Sequence, residues 1–311
     1  MEYQALYRKY RPKNLNEVYG QNIAVNILKN AIENKKFGHA YLFTGSRGCG
    51  KTSVAKIMAR LVNCENVING QLCGECKNCI ATKENSCVDI LEIDAASNNG
   101  VDEIRELKSK VNLIPSILNY KVYIIDEVHM LSIGAFNALL KTLEEPPNYA
   151  VIILVTSKYN SLLNTIRSRS QKLDFTKLKN SDIINYMKDN NYQTNLDQKL
   201  ILSLIDGSIG NISQVFDNID AINKLVSFID NIQNVNAIEL NDMAIYLGEQ
   251  KDNIYMLLDY LETIMYERIK NADISRYIKS IEEAKKNIQG NVNFEICIDK
   301  MLLAFEEEQY V

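Results

Sequence analysis

A glycine-rich segment in the first part of the sequence has the residue types and spacing of a phosphate-binding loop. The pattern GxxxxGK[ST] stands directly after an apolar run that favours a strand and directly before a run that favours a helix. Such glycines let backbone N–H groups close around phosphate oxygens, and the start of the helix adds partial positive charge. The segment therefore predicts a nucleotide site, formed by Gly45, Ser46, Arg47, Gly48, Cys49, Gly50, Lys51, Thr52 and Ser53.

A second motif supplies the acidic groups that nucleotide hydrolysis needs. Lys51 is expected to reach the β- and γ-phosphates, and Thr52 is expected to bind Mg²⁺. Further along the chain, the apolar run at 121–125 ends in two carboxylates. Asp126 at this strand end can hold Mg²⁺ through water, while Glu127 can orient and polarise the water that attacks the γ-phosphate. Together the two motifs predict a nucleoside triphosphatase.

Polar residues beside two later strand candidates extend the predicted site. Thr156 and Ser157 end an apolar run and would place a hydroxyl near the γ-phosphate, although such residues are also ordinary capping choices. Arg169 comes just before the last strand candidate. An arginine there can reach a neighbouring subunit's nucleotide as an arginine finger, whereas a lone arginine is more often a surface charge.

Four of the seven cysteines lie close together in a spacing that suits a metal site. The thiolates that can close a tetrahedral shell on Zn²⁺ belong to Cys64, Cys73, Cys76 and Cys79. Gly70 and Gly74 permit the tight turns between them. An iron–sulfur cluster is the alternative, but no Cys-Pro follows at the spacing that such clusters use. Because four thiolates leave no open position, we expect a structural zinc site.

The residues that carry this chemistry follow a regular alternation of strand and helix candidates. Runs typical of buried strands occur at 40–44, 89–94, 121–126, 151–156 and 171–175. Helical segments between them occur at 23–34, 52–62, 101–113 and 134–143. The alternation predicts an α/β P-loop domain with a five-stranded parallel sheet, in which ligands bind beyond the carboxyl ends of the strands. From residue 181 onward the sequence reads as helices only and contains no proline.

Composition and charge exclude several classes of protein. The 311 residues, 46% hydrophobic and 24% charged, suffice for two or three domains and disfavour disordered, collagen-like and coiled-coil proteins. The longest apolar stretch, at 150–155, is far below the roughly 20 residues of a membrane-spanning helix, and no signal peptide is evident. We therefore expect a cytoplasmic protein with no membrane partner. A net charge of −4 does not favour a purely electrostatic nucleic-acid binder, although residues 1–60 carry eleven basic against three acidic residues.

Dense stretches of sequence around these motifs resemble one known family. They are YRKYRP at 7–12, VYGQ at 18–21, HAYLF at 39–43, EIDAAS at 92–97, YIIDEVHML at 123–131 and FNALLKTLEEPP at 136–147. With the phosphate-binding loop and the four cysteines, they make the chain resemble the gamma/tau subunits of bacterial DNA polymerase III. These subunits are the AAA+ ATPases of the sliding-clamp loader. The resemblance is strong over residues 1–178 and faint beyond them.

The resemblance implies an architecture of three parts. An AAA+ ATPase core would occupy 1–178, with the zinc module at 64–79 inside it. A helical lid would follow at 179–242, and a helical collar at 243–311 would assemble five subunits around primed DNA.

The resemblance also implies ligands and partners. ATP and Mg²⁺ would bind at the loop, with Arg8, Arg11 and Pro12 at the adenine pocket. The partners would be delta and delta-prime subunits and further gamma/tau copies in a hetero-pentamer, together with the beta sliding clamp and primer–template DNA. Helix N-termini near Ser132 and Thr165 would contact template phosphates, which is a sequence-independent kind of contact.

The family also assigns roles to residues near the γ-phosphate. Asp126 and Glu127 would act in hydrolysis, Thr156 or Ser157 would be sensor 1, and Arg169 would be the arginine finger that acts in trans.

The sequence departs from the family pattern at two positions. Ser170 follows Arg169 where the family has cysteine, and Gly210 stands where the family's lid has a nucleotide-sensing arginine. The loss of that arginine predicts weaker coupling of ATP binding to lid closure and slower turnover. Since the sequence stops at Val311, we also expect a short collar without the tau-type extension.

Two other functions remain as alternatives. A non-hydrolysing nucleotide-binding scaffold subunit of the same complex is favoured by Gly210, but the intact Lys51, Asp126 and Glu127 argue against it. An AAA+ branch-migration helicase would leave the cysteine module and Arg169 unexplained.

Overall fold

The computed structural model describes residues 12–83, 87–97, 113–270 and 274–306. The chain forms two compact units. The first contains residues up to Asn190 together with Gly207–Gly210, and the second contains Asn191–Asp206 and the residues from Asn211 onward. The three-part division expected at 178 and 242 remains a prediction.

The first unit is built on a parallel sheet of five strands within the described residues. The strands are β1 (Ala40–Thr44), β2 (Ile90–Asp94), β3 (Lys121–Asp126), β4 (Ala150–Thr156) and β5 (Gln171–Asp174), in the spatial order β2-β3-β4-β1-β5. Every residue of β1 and β4 is buried, because continuous apolar runs can be covered by helices on both faces. The predicted five-stranded parallel sheet is confirmed.

Helices cover both faces of this sheet. Within the described residues, those of the first unit are α1 (Asn22–Glu33), α2 (Lys51–Leu61), α3 (Lys77–Ala81), α4 (Ile133–Glu144), α5 (Asn164–Arg167) and α6 (Asn180–Asp189). Side chains from α1 and α2 pack with Tyr41 and Phe43 on one face. Those of α4 pack with Leu42 and Tyr123 on the other face. Successive residues of β1 therefore serve opposite cores, as the period of two in a strand requires.

The described part of the chain after β5 contains helices and no strand, as the sequence predicts. After α6 these helices are α7 (Gln198–Ile205), α8 (Ile209–Asp217), α9 (Ile219–Asp230), α10 (Ala237–Glu249), α11 (Ile254–Arg268), α12 (Ile274–Gln289) and α13 (Phe294–Glu306). Ion pairs link them within the second unit: the Lys285 ammonium lies 2.6 Å from Asp259 Oδ1 and 2.8 Å from Glu262 Oε1. The helix predicted at 101–113 falls almost entirely outside the described residues. None of the described helices combines the length and apolarity that crossing a membrane requires.

The register of the sheet brings the ends of three strands to one edge. Thr44 at the end of β1 is level with Thr156 at the end of β4. Asp126 at the end of β3 is level with Asp94 at the end of β2. Since all strands run in the same direction, the segments that follow β1, β3 and β4 emerge side by side. These are the segments in which the sequence places the phosphate-binding loop, the two carboxylates and the strand-end hydroxyls.

A buried carboxylate anchors the opposite edge of the sheet. Asp89, directly before β2, is fully buried. Its oxygens accept hydrogen bonds from the backbone N–H groups of Ser116 at 3.0 Å, Ile117 at 2.7 Å and Leu118 at 3.0 Å. Burial by itself raises the pKa of Asp89, but these three N–H groups outweigh it and the pKa is lowered from its ordinary value. The carboxylate thus orders the segment that leads into β3.

We predict that Asp89→Asn lowers the free energy of unfolding by about 2 kcal/mol, because a charged acceptor of three buried N–H groups is replaced by a neutral one. Since the folded pKa lies below the ordinary value, this stabilisation is present above about pH 4 and is lost as the pH falls through the folded pKa. Urea unfolding from pH 3 to 8 measures the effect, with the exposed Asp242→Asn as control. A difference between parent and Asp89→Asn that stays constant down to pH 3 would contradict this account.

Candidate nucleotide site and metal centre

The loop between β1 and α2 has the backbone of an anion cradle. The backbone φ angles of Gly45, Gly48 and Gly50 are 150°, 77° and 95°. Residues other than glycine rarely adopt such angles. A Cβ on Gly45 would also lie 2.1 Å from the carbonyl oxygen of Phe175. Gly50 is the N-cap of α2, so the first N–H groups of that helix lack partners within the helix. The loop therefore has the local geometry that phosphate binding requires.

The Lys51 side chain folds back over this loop. Its ammonium donates hydrogen bonds to the carbonyl oxygens of Gly45 at 2.8 Å and Ser46 at 2.6 Å. Lys51 is only 5% exposed, so its charge lies inside the loop and not in solvent. The ammonium is thus placed where the negative charge of a bound phosphate would be felt most strongly.

The two sequence motifs meet through one hydrogen bond. The Thr52 hydroxyl, at the start of α2, donates to Asp126 Oδ2 at 2.7 Å, across 74 positions of sequence. The other oxygen of Asp126 accepts the Glu127 N–H at 2.9 Å. A hydroxyl and a carboxylate this close are oxygen donors of the kind that Mg²⁺ prefers, so the pair fits a magnesium ion.

Glu127 lies just beyond β3 with its backbone in the left-handed region, at φ 46°. Its Oε2 accepts hydrogen bonds from the Ser157 hydroxyl at 3.0 Å and the Ser157 N–H at 3.3 Å. A non-glycine residue in this conformation carries backbone strain and needs support from its surroundings. The contacts with the end of β4 give the carboxylate such support.

His129 is a neighbour of Glu127 to which the sequence analysis gave no role. Its Nδ1 lies 3.3 Å from Glu127 Oε2 and 3.1 Å from the Thr156 hydroxyl, and its side chain is 8% exposed. The signal in the sequence is the histidine three positions after Asp126, which a short helical turn at Val128–Met130 brings back to the carboxylate. The imidazole thus joins Glu127 to the end of β4.

The two candidate sensor hydroxyls have different surroundings. Thr156 is fully buried, and its hydroxyl contacts the His129 ring and accepts the Lys158 N–H at 3.0 Å. Ser157 is half-buried and donates to Glu127. The structure thus brings Ser157 into direct contact with the carboxylate, and links Thr156 to it through the imidazole.

Gln21 is a second residue whose role the sequence analysis missed. Its side-chain amide is 3% exposed and donates to the carbonyl oxygens of Cys49 at 3.3 Å and Thr176 at 2.8 Å. Its oxygen accepts the Thr176 N–H at 3.1 Å. One side chain therefore ties the phosphate-binding loop to the segment after β5. The signal in the sequence is the place of Gln21 in the VYGQ stretch at 18–21, which belongs to the family resemblance but carried no assigned role.

Cys49 and Arg47 differ in their positions in the loop. Cys49 is buried and its thiol donates to the carbonyl oxygen of Ser46 at 2.9 Å. Burial raises the pKa of Cys49. The side chain of Arg47 is exposed, and that of Ser53 is half-buried in the first turn of α2.

The remaining predicted residues lie around the core of the site or outside the described chain. Arg8 and Arg11 are outside the described residues, and Pro12 is half-buried.

Arg169 is exposed; its guanidinium lies 2.8 Å from Glu144 Oε1 and donates to the Thr165 carbonyl oxygen at 3.0 Å. Ser132 and Thr165 are exposed at the beginnings of α4 and α5, and Ser132 Oγ accepts the Ala135 N–H at 3.3 Å.

The four clustered cysteines have the geometry of a tetrahedral thiolate site. The sulfur of Cys64 lies 3.5 Å from those of Cys73 and Cys79, which are themselves 3.8 Å apart. With Cys76, all four sulfurs lie within 4.8 Å of one another. Zinc–sulfur bonds of about 2.3 Å in a tetrahedron place sulfurs about 3.8 Å apart, so the donor set fits Zn²⁺.

The surroundings of three of these cysteines change the pKa values of their thiols in different directions. Backbone N–H groups of Cys76 and Glu75 lower the pKa of Cys73 to about 6. Burial raises the pKa of Cys64 and of Cys79, so these thiols need a nearby cation to lose their protons. Gly70 and Gly74 have φ angles of 70° and 78°, which confirms the predicted turns.

A short segment after α7 lies directly against the phosphate-binding loop. Gly207–Gly210 belongs to the same compact unit as the loop, and the carbonyl oxygen of Gly207 accepts the Leu178 N–H at 2.9 Å. A Cβ on Gly48 would lie 1.9 Å from the hydroxyl oxygen of Ser208. A Cβ on Gly210 would lie 3.4 Å from the Cα of Gly48, which is close but ordinary contact.

Comparison with known proteins establishes the family. The family described as "DNA polymerase III, delta subunit" matches residues 20–179, which hold the sheet, the phosphate-binding loop and the cysteine cluster. The chain belongs to this family.

Relatives within DNA polymerase III agree with the resemblance seen in the motifs. The tau subunit of Bacillus subtilis is 54% identical over 187 residues, covering 60% of this chain and 33% of that subunit. The gamma/tau subunit of Mycoplasma genitalium is 35% identical over 270 residues, covering 83% of this chain and 45% of that subunit. The predicted similarity to gamma/tau subunits is confirmed, and the matches span about a third to a half of the length of these relatives.

Solved structures show the same fold. A DNA polymerase III gamma subunit-related protein of Thermotoga maritima superimposes with a TM-score of 0.51 at 17% identity, covering 91% of this chain and 98% of that chain. A RuvB variant from the same organism gives a TM-score of 0.51 at 16% identity, covering 94% and 91%. The predicted AAA+ fold is confirmed.

Proposed function

We propose that the chain is an ATP-hydrolysing motor subunit of the DNA polymerase III clamp loader, which uses ATP to load the beta sliding clamp onto primed DNA. The observation that carries the proposal is the 2.7 Å contact of Thr52 with Asp126, beside Glu127 at the end of β3. This arrangement brings together a phosphate-binding loop, two oxygen ligands suited to Mg²⁺ (Thr52 and Asp126), and the Glu127 carboxylate. The family membership and the gamma/tau relatives support the assignment to the clamp loader.

The chain's own residues divide the work of hydrolysis. Backbone N–H groups of the loop and the Lys51 ammonium would bind the phosphates, and Thr52 and Asp126 would hold Mg²⁺. A bound magnesium ion neutralises negative charge on the phosphate oxygens. Glu127 orients the attacking water and accepts its proton. Hydrogen bonds from Ser157 aim this carboxylate.

His129 is proposed as a positioning residue for Glu127. Its ring lies between the carboxylate and the buried Thr156 hydroxyl, with Nδ1 at 3.3 Å and 3.1 Å from them. Through this imidazole, the buried end of β4 holds Glu127 in its strained backbone conformation. Thr156 thereby supports the Glu127 carboxylate through the imidazole.

Assembly with other subunits is part of the same proposal. Delta and delta-prime subunits and further copies of this chain would form a hetero-pentamer in the cytoplasm, with Arg169 of one subunit reaching the nucleotide of its neighbour. Arg169 is exposed, and a surface ion pair such as the one it makes with Glu144 contributes little free energy, so a partner's phosphate can replace it. Exposed helix starts at Ser132 and Thr165 would contact DNA phosphates, and a lid and collar after residue 178 would complete each subunit.

We also propose that Cys64, Cys73, Cys76 and Cys79 hold a structural Zn²⁺. The sulfur spacings support this, and four thiolates leave no position for water or substrate. Metal binding would stabilise the module, because the buried thiolates would otherwise repel one another or take up protons.

A non-hydrolysing scaffold subunit is the second candidate. The observation that favours it is Gly210, which provides no side chain beside the phosphate-binding loop. ATP hydrolysis by the full chain with clamp-loader partners, clamp and primed DNA separates the two functions, using Lys51→Ala as the inactive control. Nucleotide binding without stimulated turnover would favour the scaffold.

We predict that Glu127→Gln retains ATP binding but lowers the hydrolysis rate at least about a hundredfold, because an amide cannot accept the proton of the attacking water. Steady-state phosphate release and ATP titration calorimetry measure the two properties. Glu145→Gln, an exposed acidic residue after α4, is the matched control and is expected to behave as the parent. Full turnover in Glu127→Gln would remove this carboxylate from the mechanism.

We predict that Arg169→Ala leaves ATP binding by the isolated chain unchanged and lowers turnover of the assembled complex by about 10³-fold. Arg167→Ala is the matched control, since Arg167 lies two residues away and its guanidinium stacks 5.0 Å from the Tyr159 ring centroid. Phosphate release by complexes reconstituted with each variant distinguishes them. If both variants slow turnover equally, the effect comes from the segment 164–169 as a whole and Arg169 is not an arginine finger.

We predict that Cys79→Ser lowers both the bound zinc and the melting temperature, whereas Cys87→Ser, outside the cluster, changes neither. Loss of one thiolate opens the tetrahedral shell and weakens the link between metal and fold. Metal analysis and thermal unfolding of the same preparations provide the measurement. A parent protein that is metal-free and equally stable, or that shows the absorption of an iron–sulfur cluster, would refute the zinc proposal.

A further inference from the structure

Ser208 carries a buried hydroxyl that no group in the described part of the chain satisfies. The residue is 4% exposed, and among the described residues its Oγ has no hydrogen-bond partner. Buried hydroxyls in folded proteins are nearly always paired, because leaving one unpaired loses the hydrogen bonds it made with water. Such an atom next to a candidate ligand site therefore calls for a partner.

The position of this hydroxyl limits what that partner can be. Ser208 Oγ lies where a side chain on Gly48 would project, 1.9 Å from an ideal Cβ at that position. Gly48 itself has a φ of 77°, in the middle of the loop whose N–H groups close around phosphate. The hydroxyl thus contacts the phosphate-binding loop at Gly48, while Phe175 packs against the loop at Gly45.

The segment that carries Ser208 is held in place independently of any ligand. The Gly207 carbonyl oxygen accepts the Leu178 N–H at 2.9 Å, and Gly207 has a φ of 70° with no room for a side chain beside Lys177. Gly207 precedes the serine and Gly210 follows two residues later, so the backbone packs closely on the loop, with Ser208 Oγ and the Gly210 backbone as its neighbours at Gly48. The Ser208 hydroxyl is therefore held at a fixed position beside Gly48.

We infer that the Ser208 hydroxyl is a ligand of the bound nucleotide and donates a hydrogen bond to a phosphate oxygen held in the loop. A phosphate oxygen is a strong acceptor, and a hydroxyl is a donor that can approach it without adding charge. This inference rests on the proposed nucleotide site and extends it: Ser208 contributes a phosphate contact in a chain that has no side chain at Gly210.

The test compares nucleotide affinity and stability in the full chain. Titration calorimetry with Mg²⁺ and ATP or ADP is expected to show about tenfold weaker binding by Ser208→Ala, the loss of one hydrogen bond to a charged group. Thermal unfolding without nucleotide is expected to show no loss of stability, because the deleted hydroxyl has no hydrogen-bond partner among the residues that the structure describes. Ser213→Ala is the matched control: Ser213 is also buried and lies on α8, but its hydroxyl is 3.4 Å from the Tyr192 hydroxyl.

A second variant tests the same idea by gain of function. Gly210→Arg places a guanidinium beside the loop, and the 3.4 Å spacing to Gly48 accommodates its Cβ. With this cation present, Ser208→Ala is expected to weaken ATP binding less than twofold, because the phosphate then has another donor. An undiminished tenfold effect in the Gly210→Arg background would oppose a shared phosphate ligand.

The outcomes separate this inference from the proposed function. If Ser208→Ala binds ATP as the parent does while Lys51→Ala has lost binding, the nucleotide site stands and the role of Ser208 is refuted. If Ser208→Ala melts well below the parent without nucleotide, the hydroxyl has a structural partner and the inference also fails. If the parent itself binds no nucleotide, both proposals fall together.

Discussion

The hydrogen bond between the Thr52 hydroxyl and the Asp126 carboxylate is the contact on which the candidate site depends. It spans 2.7 Å between residues 74 positions apart, so it exists only because β1 and β3 end at the same edge of the sheet. The strand between them, β4, ends at the same level and supplies Ser157 to the neighbouring carboxylate. A parallel sheet makes this convergence possible, because every strand delivers its carboxyl end to one side.

The phosphate-binding loop is held in shape from outside as well as by its glycines. Gln21 binds its Cys49 carbonyl oxygen, Phe175 closes one side against Gly45, and Ser208 packs against Gly48. The loop is therefore preorganised, and little conformational freedom remains to be lost when an anion binds. Glycine is required at 48 for two separate reasons, its positive φ and the approach of Ser208.

The cysteine module is connected to the other end of the strand that carries Asp126. The side-chain amide of Asn78 in α3 donates to the Asn63 carbonyl oxygen at 2.7 Å, and the Asn63 side chain accepts the Tyr120 N–H at 2.8 Å, directly before β3. Asp89 orders the residues that come just before Tyr120. A metal in this module would thus stabilise the start of β3, whereas the candidate nucleotide site lies at its end. This gives a structural zinc a physical role that does not require contact with substrate.

The sequence by itself determined the parts of this protein that depend on local pattern. Continuous apolar runs marked the strands, the GxxxxGK[ST] loop marked a phosphate cradle, and cysteine spacing marked the sulfur cluster, because period, glycine and short spacing are local properties. The tertiary structure decided which distant groups meet: Ser157 at Glu127, Thr156 at His129, Gln21 at the loop, and Ser208 at Gly48. These contacts depend on the order of the strands in the sheet and on the segment Gly207–Gly210, which lies against the phosphate-binding loop after α7. No short sequence window contains both partners, so pattern alone leaves them undetermined.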